Sequence, residues 1–217
     1  MDYRVIVDNW WLFMRGLQRT AELTVLTVIL GTVGGTLLAI ARLAANQPVR
    51  YSATFFIETV RATPAIMLIF WFYFLLPRLV GAIEGVAAGL LALVFFNCAY
   101  TAEIVRAGMQ AVPKGQVEAA RASGLPGWRV LRHIVLPQAF DSMTPALINQ
   151  AVMVFKTTSL VYIIGVIDFF RAATLINNSV YRPYEVYTFV GLVYLIPATV
   201  FSRLSRMLEK QRARARA

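Results

Sequence analysis

The feature of this chain that packing explains least is a single positive charge inside an apolar run. Lys156 carries the only charge between residues 143 and 167. Ionisable groups at such positions are costly, and they face a bundle interior or a water-filled cavity. Six polar side chains form a group around it: Asn149, Gln150, Lys156, Thr157, Thr158 and Ser159. We expect them to line a path for a polar solute, in which the ammonium receives a carboxylate. A structural lysine, paired with a carboxylate or with backbone carbonyls, is the alternative.

Two pairs of opposite charges have helical spacing. Glu103 and Arg106 are three residues apart at the end of an apolar run, and Glu58 and Arg61 repeat this spacing. Charges three residues apart lie side by side on a helix. A local helix pair is the simplest interpretation of each. A gate at the end of a span is the functional interpretation of Glu103 and Arg106.

Several other chemistries are excluded by residue counts. The one cysteine, Cys98, excludes an intrachain disulfide, and the one histidine, His133, excludes a histidine metal cluster made by this chain alone. The sequence has no GxxxxGK[ST] phosphate loop. We therefore expect no catalytic residue, no metal and no cofactor in the chain, and no ATP hydrolysis by that route.

Composition indicates a membrane protein. Of 217 residues 59% are hydrophobic and 15% charged, against the roughly 25% charged residues of soluble domains. The apolar residues form long runs, which argues against a soluble enzyme and against a disordered chain. The formal net charge of +10 does not require a nucleic-acid partner, because basic residues accumulate in the inside segments of membrane proteins.

Five runs are long enough to cross a bilayer, which takes about 20 apolar residues. They lie at about 20–41, 55–77, 85–102, 143–167 and 186–202. Gly31, Gly34 and Gly35 in the first run suit close packing between helices. The sequence predicts an all-α polytopic membrane protein with a single transmembrane domain over residues 1–217.

The basic residues predict the orientation. With the N-terminus outside, fourteen Lys and Arg lie in inside segments and six in outside segments, as the positive-inside rule requires. The C-terminus is then cytoplasmic. We expect its basic tail, residues 211–217, to anchor on anionic lipid.

The longest polar stretch, residues 103–142, separates the third and fourth runs and contains helix punctuation. Pro113 and Gly124 suit the start and the end of a short helix. Pro126 can open a second helix, which we expect Pro137 to interrupt.

Seven residues in this stretch have a recognisable spacing: Glu118, Ala119, Ala120, Gly124, Ile134, Leu136 and Pro137. They match the EAA signature, so the chain resembles the membrane subunits of binding-protein-dependent ABC importers. In such a role the small alanines allow close docking, the glutamate supplies a charge, and the glycine lets the chain turn. The resemblance implies that this helix docks on an ATPase. Without the motif, a helical loop lying on the membrane surface would be the default interpretation.

The resemblance extends to the polar amino-acid permease branch over about residues 16–205. It is carried by the segments 61–64, 70–73, 99–108, 115–116, 136–139 and 158–161. It implies a type I importer fold and a multi-pass location in the bacterial inner membrane. It also implies three partners: a dimer of cytoplasmic ATPases that holds ATP and Mg²⁺, a second identical or homologous permease, and a periplasmic amino-acid-binding protein.

The substrate is the least specified part of the resemblance. Segment 168–173 is similar to glutamate/aspartate import permeases, and we expect the outer segment 168–185 to face the binding protein. Glutamine, histidine or arginine import is the alternative. Many relatives have Lys-Asp-Thr-Ser-Leu where this chain has Thr157 after Lys156, so any pairing with that aspartate is absent. An ion-coupled secondary transporter would need carboxylates deep in the spans, and none lies there.

Overall fold

The computed structural model describes residues 3–44 and 46–216, with side chains up to residue 209. Every regular element in these ranges is helical. The α-helices are α1 (Arg4–Asp8), α2 (Trp10–Arg42), α3 (Gln47–Ala62), α4 (Ala65–Phe74), α5 (Leu76–Val80), α6 (Gly85–Gln110), α7 (Lys114–Ala122), α8 (Gly127–Val130), α9 (Leu136–Thr157), α10 (Phe169–Val180) and α11 (Pro183–Arg216). The side chains of the basic tail, on which the predicted lipid anchor rests, lie outside the described residues.

Four helices are long and apolar enough to cross a membrane. They are α2, α6, the continuous helix Gly127–Ile164 that contains α9, and Pro183–Glu209 of α11. A fifth span results if α3 and the segment Ala65–Val80 count as one bent unit. The predicted all-α polytopic fold is confirmed.

The second predicted span, at about 55–77, is not one straight helix. It is broken between α3 and α4, which meet at an angle of 107°. Pro64 has no backbone N–H to donate and biases the preceding residue away from helical geometry. Thr63 accordingly has an extended backbone, with φ −91° and ψ 131°. The hydrophobic run predicted the length of apolar chain, but the proline divides it.

Helix α2 packs against α6 along a seam of small residues. The seam consists of residues four apart that are buried on one face of α2: Thr27, Gly31, Gly35 and Ala39. A Cβ added at Gly31 would lie 2.7 Å from the Cβ of Asn97, and one at Gly35 would lie 2.7 Å from the carbonyl oxygen of Cys98. These distances leave no room for a side chain, so the close packing predicted from the glycines is confirmed.

A buried amide joins the first, third and fourth spans. The Asn97 side chain of α6 donates to the Thr27 carbonyl of α2 at 3.2 Å. Gln150 of α9 donates to Asn97 Oδ1 at 3.0 Å. Gln150 is thus buried as a hydrogen-bond partner of Asn97.

The polar connection before α9 is shorter than the sequence predicted, because α6 continues to Gln110 and the next long helix begins at Gly127. The expected break at Pro137 is wrong. The helix runs on through a π-helical turn, Leu131–Val135, in which the Leu136 N–H bonds to the Leu131 carbonyl five residues back. A π-turn widens the helix, and this one accommodates the proline that follows it.

Candidate functional site

One face of α9 is exposed and polar. Asn149, Met153 and Lys156 are exposed and lie four and three residues apart, so they form one stripe on the helix. Among the residues described, no carboxylate or carbonyl pairs with the Lys156 ammonium. A structural lysine held by this chain therefore has no support in the described ranges.

The other predicted path residues divide between two environments. Thr157 and Ser159 are half-buried beside the stripe. Gln150 is 7% exposed and Thr158 is fully buried, and the Thr158 hydroxyl donates to the Phe155 carbonyl at 2.8 Å. We correct the expectation for these two residues. Successive positions on a helix are turned by about 100°, so neighbours in sequence point to different sides.

A cavity of about 360 Å³ lies where the broken second span meets α6 and α9. Its lining includes Arg61, Pro64, Tyr100, Met153 and Thr157. The Arg61 guanidinium lies over the Tyr100 ring, 5.6 Å from its centroid. The cavity thus joins the exposed stripe of α9 to a second cation. No spacing or motif in the sequence predicts that Arg61 lies beside α9.

The predicted pair Glu103 and Arg106 belongs to a larger charge cluster. Arg106 binds Glu103 through two nitrogens. Arg42, the last residue of α2, bonds to Glu103 at 2.8 Å and to Glu58 at 3.2 Å. Arg61 lies 3.8 Å from Glu103. Glu58 is thus bridged by Arg42 and not by Arg61 within the described residues. The cluster ties α2, α3 and α6 together beside the cavity.

Residues 113–125 form a short helix with an exposed face, which ends at a glycine. In α7 Glu118 and Ala119 are exposed, whereas Ala120 is buried. Gly124 has φ +78°, its N–H bonds to the Arg121 carbonyl and the next N–H to the Ala120 carbonyl. This is a Schellman cap, which favours glycine at that position. The helix end predicted at Gly124 is confirmed.

The remaining signature residues begin the long helix of α9. Ile134 is half-buried in the π-turn, and Leu136 and Pro137 are exposed at the start of α9. They therefore lie on the segment that connects α7 to the fourth span.

The outer segment is partly structural, against expectation. Asp168 is fully buried, and its carboxylate accepts from the backbone N–H groups of Arg171 at 2.9 Å and Phe170 at 3.2 Å, capping α10. Phe169 N–H donates to the Thr20 hydroxyl of α2 at 3.0 Å. Burial raises the pKa of Asp168 to about 6, although the backbone hydrogen bonds oppose the shift. The first residues of segment 168–173 thus hold α10 in place and do not face a partner.

The family of this chain is shown by its sequence. The sequence pattern of the family described as "Binding-protein-dependent transport system inner membrane component" matches residues 31–214. The chain belongs to this family.

Similar proteins agree with this assignment. The chain is 34% identical to the glutamate/aspartate import permease protein GltK of Escherichia coli, over 98% of each chain. It is also 34% identical to the probable glutamine ABC transporter permease protein GlnM of Bacillus subtilis, over 97% of this chain and 98% of the other. A crystal structure of an amino acid ABC transporter with histidines matches with a TM-score of 0.91 and 34% identity, covering 97% of this chain and 99% of that one.

These findings confirm the resemblance to amino-acid ABC permeases and the type I importer fold. Such relatives are membrane components that do not carry the ATPase site. The described helices and the family together indicate a multi-pass membrane protein.

Proposed function

We propose that this chain is the permease subunit of an ATP-driven importer of acidic amino acids. The observation that carries the proposal is Lys156, an exposed ammonium on a spanning helix with no partner in the described part of the chain. An unpaired charge in lipid is costly, so it must face water, a partner or a substrate. We take the stripe of Asn149, Met153 and Lys156, with Thr157 and Ser159 beside it, as the wall of the path.

The acidic substrate is supported by charge. The cavity next to the stripe has Arg61 in its lining and, among the described residues, no carboxylate. Two cations near one cavity favour an anion with two carboxylates over a cationic amino acid. The name of GltK, a glutamate/aspartate import permease protein, points to the same substrates. Glutamine, as in the name of GlnM, is the alternative, and an α-carboxylate alone would then engage Lys156.

Coupling to ATP is assigned to α7. Glu118 and Ala119 face outward to dock on a cytoplasmic ATPase, which holds ATP and Mg²⁺, and Gly124 fixes where the docking helix ends. Ile134, Leu136 and Pro137 continue this segment into α9. A second permease, identical or homologous, closes the path. A periplasmic binding protein delivers substrate to the outer side, with the N-terminus outside and the C-terminus in the cytoplasm of the bacterial cell.

The test is ATP-driven uptake of labelled glutamate by the native complex in proteoliposomes. Aspartate, glutamine, histidine and arginine are added in turn as competitors. We expect aspartate alone to block uptake. Competition by glutamine, histidine or arginine would keep the importer and discard the acidic substrate. Uptake that does not need ATP would overturn the importer itself.

The docking role of α7 is tested separately at Gly124. Val at a positive φ is strained, so Gly124→Val should uncouple ATP hydrolysis from uptake while the chain still inserts. Gly127→Val is the matched control, because nothing lies within 4 Å of its added Cβ and its φ is not positive. Wild-type uptake by the Gly124 variant would contradict the docking role.

A further inference from the structure

The segments 115–116 and 136–139, which carry part of the resemblance, each contain a glutamine. The structure brings a glutamine from each into contact. Gln138 Nε2 lies 2.6 Å from Gln116 Oε1, across 22 residues of chain. Gln116 is in the first turn of α7 and Gln138 in the first turn of α9. The contact therefore joins the docking helix directly to the helix that carries Lys156.

A second hydrogen bond determines the orientation of the Gln138 side-chain amide. Gln138 Nε2 also donates to the Ile134 carbonyl at 2.9 Å. A backbone carbonyl only accepts, so the Gln138 amide must present its NH₂ group to it. Both N–H groups of that amide are then used, one for Ile134 and one for Gln116. Gln116 must in turn present its oxygen.

The contact between Gln116 and Gln138 lies beside the π-helical turn. Ile134 lies in the π-helical turn before Pro137, a type of turn that is frequent at functional sites in helices. On the other side of the turn, a short link that begins with Ser123 and Gly124 connects α7 to α8. The bridge is thus a direct side-chain link from α7 across the π-turn to α9.

We infer that Gln116 and Gln138 form a positioning strut that passes the displacement of α7 to the path face of α9. The inference rests on the proposed coupling role of α7. Gln116 acts as the acceptor and Gln138 as the donor, and neither touches the substrate. Gln116 is exposed and Gln138 half-buried, so the strut adds little to folding stability and its loss should appear in coupling.

The experiment uses two pairs of variants in the whole reconstituted transporter. Gln116→Glu keeps an acceptor and its charge is favourable near the start of a helix, whereas Gln116→Met removes the acceptor. Gln138→Lys keeps a donor, whereas Gln138→Met removes it. The readout is ATP hydrolysed per glutamate imported, with the melting temperature of the complex as a second measurement.

We expect both Met variants to raise the ATP-to-glutamate ratio about fivefold, the factor that corresponds to one ordinary hydrogen bond, at unchanged melting temperature. The Glu and Lys variants should stay near the wild-type ratio. Met variants that couple normally, or Glu and Lys variants as poor as the Met variants, would overturn the strut. If the wild-type complex shows no ATP-driven uptake, the proposed function fails instead, and the two failures are thereby distinguished.

Discussion

The environment of polar side chains differs between the interface of α2 with α6 and the exposed face of α9. In the interface the Asn97 amide is 1% exposed and bonded to two other helices. On the α9 face Lys156 is exposed and, in the described ranges, has no bonding partner for its ammonium. The interface needs glycines to bring the backbones close, whereas the face has open space beside it.

We call the interface between α2 and α6 the scaffold and the exposed face of α9 the working surface. In the scaffold the buried Asn97 and Gln150 amides bond to each other, because an unsatisfied buried amide costs stability. The buried hydroxyls of Thr27 and Thr101 in the same interface have no hydrogen-bond partner among the described residues. An exposed polar group without a partner on a spanning helix must face water, another subunit or a substrate, none of which the single chain provides. We therefore propose a structural role for the pair of α2 and α6 and a transport role for the fourth span.

The largest effect is expected from filling the interface. Gly31→Leu places a side chain where Asn97 already stands. Overpacking costs about 1–3 kcal/mol, and here it also displaces the buried amide. We expect loss of folded complex, measured as monodisperse protein after detergent extraction. Gly191→Leu on α11, with nothing within 4 Å of its added Cβ, is the control and should extract normally. Equal yields would contradict the close packing.

The next effect concerns the working surface. Lys156→Met should lower glutamate uptake by about tenfold or more, roughly 1.4 kcal/mol of lost interaction, with no change in melting temperature. Lys156→Arg keeps the charge and should retain most of the uptake. Unchanged affinity and rate in the Met variant would return Lys156 to a structural role.

A smaller effect isolates the buried amide. Asn97→Leu leaves Gln150 buried without its partner, at about 1–3 kcal/mol. In Asn97→Leu with Gln150→Leu, neither amide remains unpaired, so the double variant should melt higher than the Asn97 variant alone. Strictly additive losses would show that the two residues are not coupled.

The smallest effect is a pH dependence at the α10 cap. The folded pKa of Asp168, about 6, lies above its ordinary value of 3.8, so folding favours the protonated carboxyl. Its stabilising contribution is full below the ordinary value and is lost as pH rises through about 6. We expect the wild type to melt a few degrees lower at about pH 8 than at about pH 5. Asp168→Asn does not ionise and should lose this difference; an unchanged difference would assign it to another group.

Several features that local chemistry decides could be predicted from the sequence, although the expected break at Pro137 is wrong. Apolar runs predicted the spanning helices, Gly124 predicted the end of α7, and the small residues of α2 predicted a close neighbour. These are properties of single residues and short spacings.

The sequence was insufficient where residues distant along the chain meet. Arg42 joins Glu58 and Glu103 from the end of another helix, and no spacing announces it. The polar side chains of Gln150 and Thr158 near Lys156 predict a place in the path, but helical rotation turns both residues inward. The short polar segment that begins at Asp168 predicts a surface for a partner, and only the fold shows Asp168 itself as a buried cap.

Cysteine accessibility along α9 tests the separation of scaffold and working surface most directly. Cys98 is the only cysteine, so Cys98→Ala gives a clean background for Met153→Cys and Val154→Cys. Met153 is 39% exposed and Val154 1%, although they are adjacent. A charged electrophilic reagent, which thiolates in contact with water attack, is applied to the assembled transporter in proteoliposomes. We expect the cysteine at position 153 to be labelled and to be protected by glutamate, and the cysteine at position 154 to remain unlabelled. Labelling at 154 but not at 153, or no labelling at either, would contradict it.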